Sequence, residues 1–294
     1  LKQNLPRIVL ALLLVGFFLA HATGIFRIEA IDRLDQAVYD ARLRATMNKT
    51  LDPNVVILDI DEKSLEEEGH WPWGRDKLAR IMDKLFTVHK IAVIGFDVVW
   101  AERDTSSGLA TLDALAKNEL KDDAGFVSQL EHLRPELDYD HQFVESIRNR
   151  PVVLGYFLTG DRQGRKSGLL PEPVLPAGTF KNRPIQFTLW DGYGANLPEL
   201  QKAALGAGHF NPIADNDGIV RRVPMLAEFE GAYYESLSLA VVRALLGSPG
   251  IRPGYPEDAP WVPRSYSGLE SLDLPIREKG ILRVPVDRNV ATLV

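Results

Sequence analysis

Three aspartates, Asp59, Asp61 and Asp97, end two short apolar runs, NVVILDID (residues 54–61) and IAVIGFDVVW (91–100). If both runs are parallel strands, these carboxylates gather beyond the strands' C-terminal ends, where open α/β sheets bind ligands. Oxygen donors so grouped suit Mg²⁺, and D-x-D followed by Ser64 echoes phosphatases that pass through an aspartyl phosphate. No glycine-rich phosphate cradle or lysine motif accompanies them. The plainer alternative is structural: Asp61 caps a helix beginning near Glu62, and Asp59 or Asp97 pairs with Arg75 or Arg80. Trp71-Pro72-Trp73-Gly74-Arg75 forms a second cluster. Two tryptophans around a proline make a rigid apolar corner that can hold a ring or sugar, although buried aromatics more often pack a core. Arg75 would sit in a first helical turn, on the unfavourable side of the helix dipole, and so calls for a carboxylate partner. Asp215, Asp217, Arg221 and Arg222 straddle a turn, where arginine forks hold either neighbouring carboxylates or an external anion.

Other chemistries find less support. The chain of 294 residues contains no cysteine, which removes disulfides, zinc–thiolate sites, iron–sulfur sites and thiol nucleophiles. Its six histidines lack metal-ligand spacing, and no serine sits in a G-x-S-x-G elbow. No cofactor or metal is therefore expected. A net charge of −6 argues against nucleic acid as a partner.

The elements that must position these residues follow from periodicity. Ile8 to Ala20 reads IVLALLLVGFFLA, thirteen residues without a charge. Together with its flanks, the stretch 5–26 is long enough, with its ends at the interface, to supply the about 20 residues needed to cross a bilayer as a helix. Lys2 and Arg7 precede it, whereas Glu29, Asp32 and Asp35 follow Arg27, so the positive-inside rule leaves the N-terminus in the cytoplasm and the rest outside. A cleaved signal peptide ending at Ala20-His21-Ala22 is the competing reading, and it too exports the remainder. Because the chain begins with Leu1 and not Met, we expect a fragment of something longer. Ile31, Leu34, Val38, Ala41 and Ala45 then make a helical stripe.

Beyond Asn54 the pattern predicts a strand at 54–61, a helix over 75–88 and a strand at 91–100, together a βαβ unit with a right-handed crossover. A surface excursion with some helix fills 102–136, a short helix 141–149 and a buried strand 151–158. Residues 161–198 and those after Pro249 are proline-rich, as loops and edge strands are. Asp217-Gly218 marks a hairpin turn, 234–246 a helix, and ILRVPV a late strand. The fold class is α/β: one N-terminal transmembrane helix, then an extracytoplasmic mixed-sheet domain built on βαβ. We divide the chain into a cytoplasmic tip and span (1–26), a juxtamembrane helix (27–50) and an extracytoplasmic domain (51–294).

The series of segments resembles the second type of CHASE sensor domain. LDQAVYDARLR, VVILDIDEKSLEEEGHWPWGRDKLARIMDKL, IAVIGFDVVWAERD, PVVLGYF, GAGHFNPIADNDGIVRRVPML and ESLSLAVVRALL carry the resemblance from about Leu34 to Val286. WPW-x-R and D-x-DG-x-x-RR are specific in combination. The resemblance implies an extracytoplasmic sensory domain of an inner-membrane receptor, periplasmic in location and without catalysis of its own. It further implies a cytoplasmic output, most often a class III adenylate or guanylate cyclase, otherwise a kinase or diguanylate cyclase. The family's tyrosine-arginine-glycine strand is absent, so the resemblance implies that 51–294 is a sensor domain truncated at its C-terminal end. Expected partners are an unidentified small-molecule or envelope ligand, the lipid bilayer through residues 5–26, and a second copy in a homodimer. The sensing or structural cleft is expected to involve Asp59, Asp61, Trp71, Trp73, Arg75 and Asp97. The alternatives are an exported Mg²⁺-dependent phosphohydrolase and a non-catalytic envelope interaction module.

Overall fold

The computed structural model describes residues 5–22, 25–26, 28–47, 50–160, 163–181, 183, 185–255 and 268–293. Lys2, Thr23, Gly24 and Arg27, on which the expected span and its charge bias partly rest, lie outside the described residues. So do Asp161, Pro184 and the proline-rich stretch 256–267. The chain forms two compact units, Leu1–Glu67 and Glu68–Val294.

The first unit contains α1 (Leu5–Ala22), α2 (Glu29–Thr46) and α3 (Glu62–Glu68). Straight-chain and aromatic apolar residues dominate α1, and Leu12, Leu13 and Leu19 are exposed along it. Its 18 residues rise about 27 Å, against about 30 Å of hydrocarbon in a bilayer. Among the described residues no helix is long and apolar enough to cross a membrane. In α2, Leu34 and Val38 are exposed and no residue is buried.

The predicted strand at 54–61 is not formed. Val55, Val56, Ile57 and Leu58 are 63–88% exposed and belong to no ladder. β-branched residues favour strands, but a strand exists only where a partner takes its hydrogen bonds, and local sequence does not specify that partner. The βαβ unit expected over 54–100 is therefore absent, although its helix and two residues of its second strand, Ile94 and Gly95, are present.

The second unit opens with α4 (Arg75–Thr87), β1 (Ile94–Gly95), α5 (Leu109–Lys117), α6 (Ala124–Leu137), α7 (Tyr139–Ile147) and β2 (Val152–Thr159). Next come β3 (Lys166–Ser167), β4 (Gly192–Gly194), α8 (Pro198–Ala203) and β5 (Gly206–His209). The order continues with β6 (Arg222–Pro224), β7 (Leu226–Phe229), β8 (Ala232–Glu235), α9 (Leu237–Leu245) and β9 (Arg252–Gly254). It closes with β10 (Ser271–Ile276), β11 (Gly280–Pro285) and β12 (Ala291–Leu293). The class is mixed α/β.

β2 is the axis of the main sheet. It runs parallel to β5 along one edge, and along the other it is parallel to β1 and then antiparallel to β4. Parallel pairing of β1 with β2 needs a long crossover, supplied by α5, α6 and α7. Where strands end, asparagines extend the ladder. Asn211 donates to the Leu158 carbonyl and accepts from its N–H, both at 2.8 Å. Asn196, fully buried, donates to Gly155 O at 2.9 Å and accepts from Trp100 N at 2.8 Å.

On one side of this sheet Leu78 and Met82 of α4 and Phe143 and Ile147 of α7 pack with Leu154 and Tyr156. Helix α9 covers the other side, brought close by glycine. A Cβ on Gly208 would lie 2.5 Å from the Leu237 backbone. A second core gathers Leu226, Tyr233, Leu239, Leu272, Leu274 and Val290 near the β9–β10–β11 sheet. The β7–β8 hairpin turns through Glu230 and Gly231, both at positive φ, which suits a two-residue connection.

Gly208→Ala is expected to cost about 3 kcal/mol or more, because backbone must move. Gly206→Ala, with nothing within 4 Å of the added methyl, should stay within about 0.5 kcal/mol of wild type. Urea unfolding midpoints of the two variants check the difference.

Candidate functional site

Arg75 opens α4, and a loop and a helix converge on its side chain. Its guanidinium donates to the Asp140 carboxylate from the first turn of α7 and to the Glu102 carbonyl. Its carbon lies 5.6 Å from the Trp100 ring centroid, in cation–π range. The Arg75 backbone N–H donates to Asp104 Oδ2 at 2.6 Å, so a carboxylate faces the positive end of the helix dipole. Asp140 in turn accepts the Asp104 N–H at 3.2 Å and pairs with Arg103 at 3.6 Å, and Arg103 reaches Glu199 of α8 at 2.7 Å. Burial pulls the Arg75 guanidinium below its ordinary value, while Asp104 and Glu199 oppose that shift. For Asp104 burial acts upward, but hydrogen bonds from Ser106 and the Arg75 backbone outweigh it, and the carboxyl sits below its usual range.

Aromatic rings enclose this ion pair. Trp71 lies 5.8 Å from Trp73 and 5.9 Å from Trp100, and Trp100 lies 5.6 Å from Phe143, ring centre to ring centre. Trp73 Nε1 donates to Gly69 O at 2.8 Å, and Lys77 Nζ stands 5.3 Å from its ring. Trp71 and Trp73 are half-buried, so one side of the corner faces solvent. Low dielectric around a paired charge strengthens its bonds and penalises any loss of a partner.

Of the six cleft residues named from sequence, the structure brings Trp71, Trp73 and Arg75 together. Asp97 is exposed on the chain after β1, and Arg75 is held by Asp140 rather than by Asp59 or Asp97. Asp59 is exposed, and the strand that was to carry it beside Asp97 is absent. Asp61 caps α3, accepting from the Ser64 backbone at 2.9 Å and from its hydroxyl at 2.6 Å, which lowers its pKa. Arg80 pairs with Asp76 at 2.7 Å. Sequence reasoning missed Trp100, Arg103, Asp104, Asp140, Asn196 and Glu199. The AERD that follows Trp100 was the available signal for two of them.

At the hairpin, buried Arg221 donates to Asp217 at 2.9 and 2.7 Å and to Asp215 at 3.1 Å. Arg222 reaches Asp215 at 3.4 Å and Asp287 at 3.5 Å. The hydrogen bond from Arg221 leads the causes that hold Asp217 down at about 2. An external anion would have to displace these carboxylates. An open groove between α4 and α7 is lined by Asp76, Arg80, Asp83 and Glu145, and each charge is paired on the surface. Among the described residues no group of three or more histidines and carboxylates could hold a metal ion. The phosphatase-like use of Asp59 and Asp61 thus lacks the donor cluster it needs.

A family model described as the CHASE2 domain matches residues 9–293. The chain belongs to the CHASE2 domain family. Comparison with curated proteins found no match, and comparison with solved structures found none. CHASE2 domains are extracytoplasmic sensory modules without catalysis of their own, which removes any requirement for a reactive centre in this chain. In this CHASE2 domain the Arg75 cluster joins α4, the 100–106 loop, α7 and α8 around one buried charge.

Arg75→Ala leaves Asp140 buried without its main counter-charge and should destabilise by about 3–5 kcal/mol. Arg75→Lys keeps the charge but cannot reach carboxylate and carbonyl with one planar fork, and should recover only part of that loss. Thermal melts of both variants test the assignment. Unchanged melting of Arg75→Ala would refute it.

Proposed function

We propose that this CHASE2 domain is the signal-input module of a membrane-anchored receptor. In this reading α1, with its flanking residues up to Phe26, anchors the chain in the inner membrane, and the unit beginning at Glu68 detects its stimulus in the periplasm. The observation that supports it best is the CHASE2 match over residues 9–293, which includes the apolar run of α1. Exposure of Leu12, Leu13 and Leu19 along one uninterrupted helix is also what a lipid-facing element requires, since nothing in water offsets that surface.

The half-buried Trp71 and Trp73 over the Arg75 pair are the candidate contact for a small-molecule or envelope ligand. A flat, polarisable ring surface suits an aromatic group. Such a ligand acts only if it binds one arrangement of the domain better than another. Amphipathic α2, with Leu34 and Val38 exposed, is the element we assign to the relay, through pairing with a second copy. The output is cytoplasmic in this reading: a class III nucleotide cyclase, or else a kinase or diguanylate cyclase.

The absence of cysteine makes the topology directly testable. Lys117→Cys places a single thiol at the exposed end of α5. A membrane-impermeant maleimide that passes the outer membrane should label it in intact cells. Labelling only after the inner membrane is broken would place the domain in the cytoplasm and reject the reading.

A further inference from the structure

β1 stands at an open edge of the main sheet. Ile94 and Phe96 donate their N–H groups to Pro151 O and Val153 O at 3.1 and 2.9 Å. In a parallel ladder the N–H and C=O of Gly95, between them, therefore point away from β2. Among the described residues no strand takes that side of β1, and Gly95 and Asp97 are exposed. Both faces of β1 are nevertheless covered. A Cβ on Gly95 would lie 2.6 Å from Val241 and 3.7 Å from Leu237, so one face of α9 sits over it. Leu245, the next residue of that helical stripe, is left 58% exposed. On the opposite face Ile94 and Phe96 pack in the core that Leu85 and Phe86 of α4 join. A parallel edge between two helical layers has room for a further strand, one apolar on both faces.

Val55, Val56, Ile57 and Leu58 have that character. They are apolar without alternation and 73, 82, 88 and 63% exposed. Among the described residues Val56, Ile57 and Leu58 make no backbone hydrogen bond. An uninterrupted apolar run of this kind in water marks a surface that another surface covers. We propose that two copies of this chain exchange strands, Val55–Leu58 of each copy lying parallel to β1 of the other.

The occupant follows from what each chain carries. Every copy has one run that joins no ladder and one open edge, so a two-fold dimer satisfies both together and leaves no edge to extend. Addition in one direction only would propagate instead. Continuity with α2 also favours a second copy over an unrelated peptide. Leu34, Val38, Ala41 and Ala45 follow Ile31 at the alternating spacings of three and four that a two-stranded coiled coil uses, and these four are exposed. The seam ends with α2 at Thr46, a short link before Val55. The exchange rests on the sensory reading above and deepens it: copies paired through α2 gain a second contact, made by the sheet of the detecting unit. Parallel direction follows from the run being apolar on both faces, as strands of parallel sheets are.

Because the chain has no cysteine, introduced thiols are unique. Leu58→Cys and Asp97→Cys lie at the C-terminal ends of the two segments. Full chains carrying one or the other, with different tags, are co-expressed and treated in membranes with a short bismaleimide. The expected product has the mass of two chains and bears both tags, and the exposed control pair Leu58→Cys with Lys117→Cys should not form it. Val56→Asp places an unpaired charge in the exchanged strand and should weaken dimerisation by about tenfold or more. The same change should leave the melting of the dilute monomer as it is, because Val56 is exposed there. A link formed within single chains that carry both Leu58→Cys and Asp97→Cys, and not between chains, would overturn the proposal. So would the absence of any 58–97 link, or undiminished dimerisation of Val56→Asp. A Leu34→Cys link between copies in the same membranes would then leave the α2 pairing and the sensory reading standing. Should Leu58→Cys fail to accumulate, Ile57→Cys takes its place under the same criteria.

Discussion

A guanidinium withdrawn from water needs its whole complement of partners at once, and that requirement organises this domain around Arg75. Asp140 neutralises the charge, the Glu102 carbonyl takes another N–H, and Trp100 covers a face of the group. Each partner comes from a different segment, so the pair forms only after α4, the 100–106 loop and α7 have come together. Effective penalties of several kcal/mol per buried ion make partial assembly unfavourable. The pair is better described as selecting one arrangement than as adding net stability. Its neighbours follow from the same logic: Asp104 answers the helix N-terminus, while Arg103 and Glu199 bring in α8.

Sheet geometry explains why so much polar chemistry is drawn into the interior. Strands β1, β4 and β5 are each two to four residues long, too short to satisfy the eight residues of β2 by backbone alone. Asn196 and Asn211 make up the difference with side-chain amides. Both lie in loops rather than in the strands they complete, which allows the neighbouring chain to leave the sheet without orphaning β2. Glycine at 208 lets α9 approach the same sheet, and Ser236, which caps that helix, bridges to His209.

Helices with a clear apolar period were legible in the sequence: α4, α7 and α9 lie within a few residues of where the pattern puts them. So was β2, a continuous apolar run with room for only one conformation in a sheet covered on both sides. Pairing was not legible. Val55–Leu58 and Ile94–Gly95 look alike as local sequence, yet only the second finds a ladder, through contacts with residues some 60 positions further on. The Arg75 cluster shows the same division. Tryptophan spacing and a cation at a helix start marked three of its members, whereas Asp140 looks like any acidic residue near a helix N-terminus until the fold carries it to Arg75. His209 gave no cue at all, because its chemistry comes from what surrounds it.

Sensing requires that some part of a domain have two arrangements close in free energy, and the two buried polar clusters differ in this respect. Around Arg75 the charged groups are paired and any rearrangement loses several bonds together, although the buried Trp100 Nε1 beside them has no hydrogen-bond partner among the described residues. Around His209 both ring nitrogens and the nearby Tyr156 hydroxyl lack hydrogen-bond partners among the described residues, so that end of β2 and β5 is held by packing and backbone pairing rather than by charge. The β2 strand connects the two, since Leu154 and Tyr156 pack in the same core as Met82 and Phe143. The His209 end of β2 is therefore coupled, through that core, to the two helices that carry the Arg75 pair.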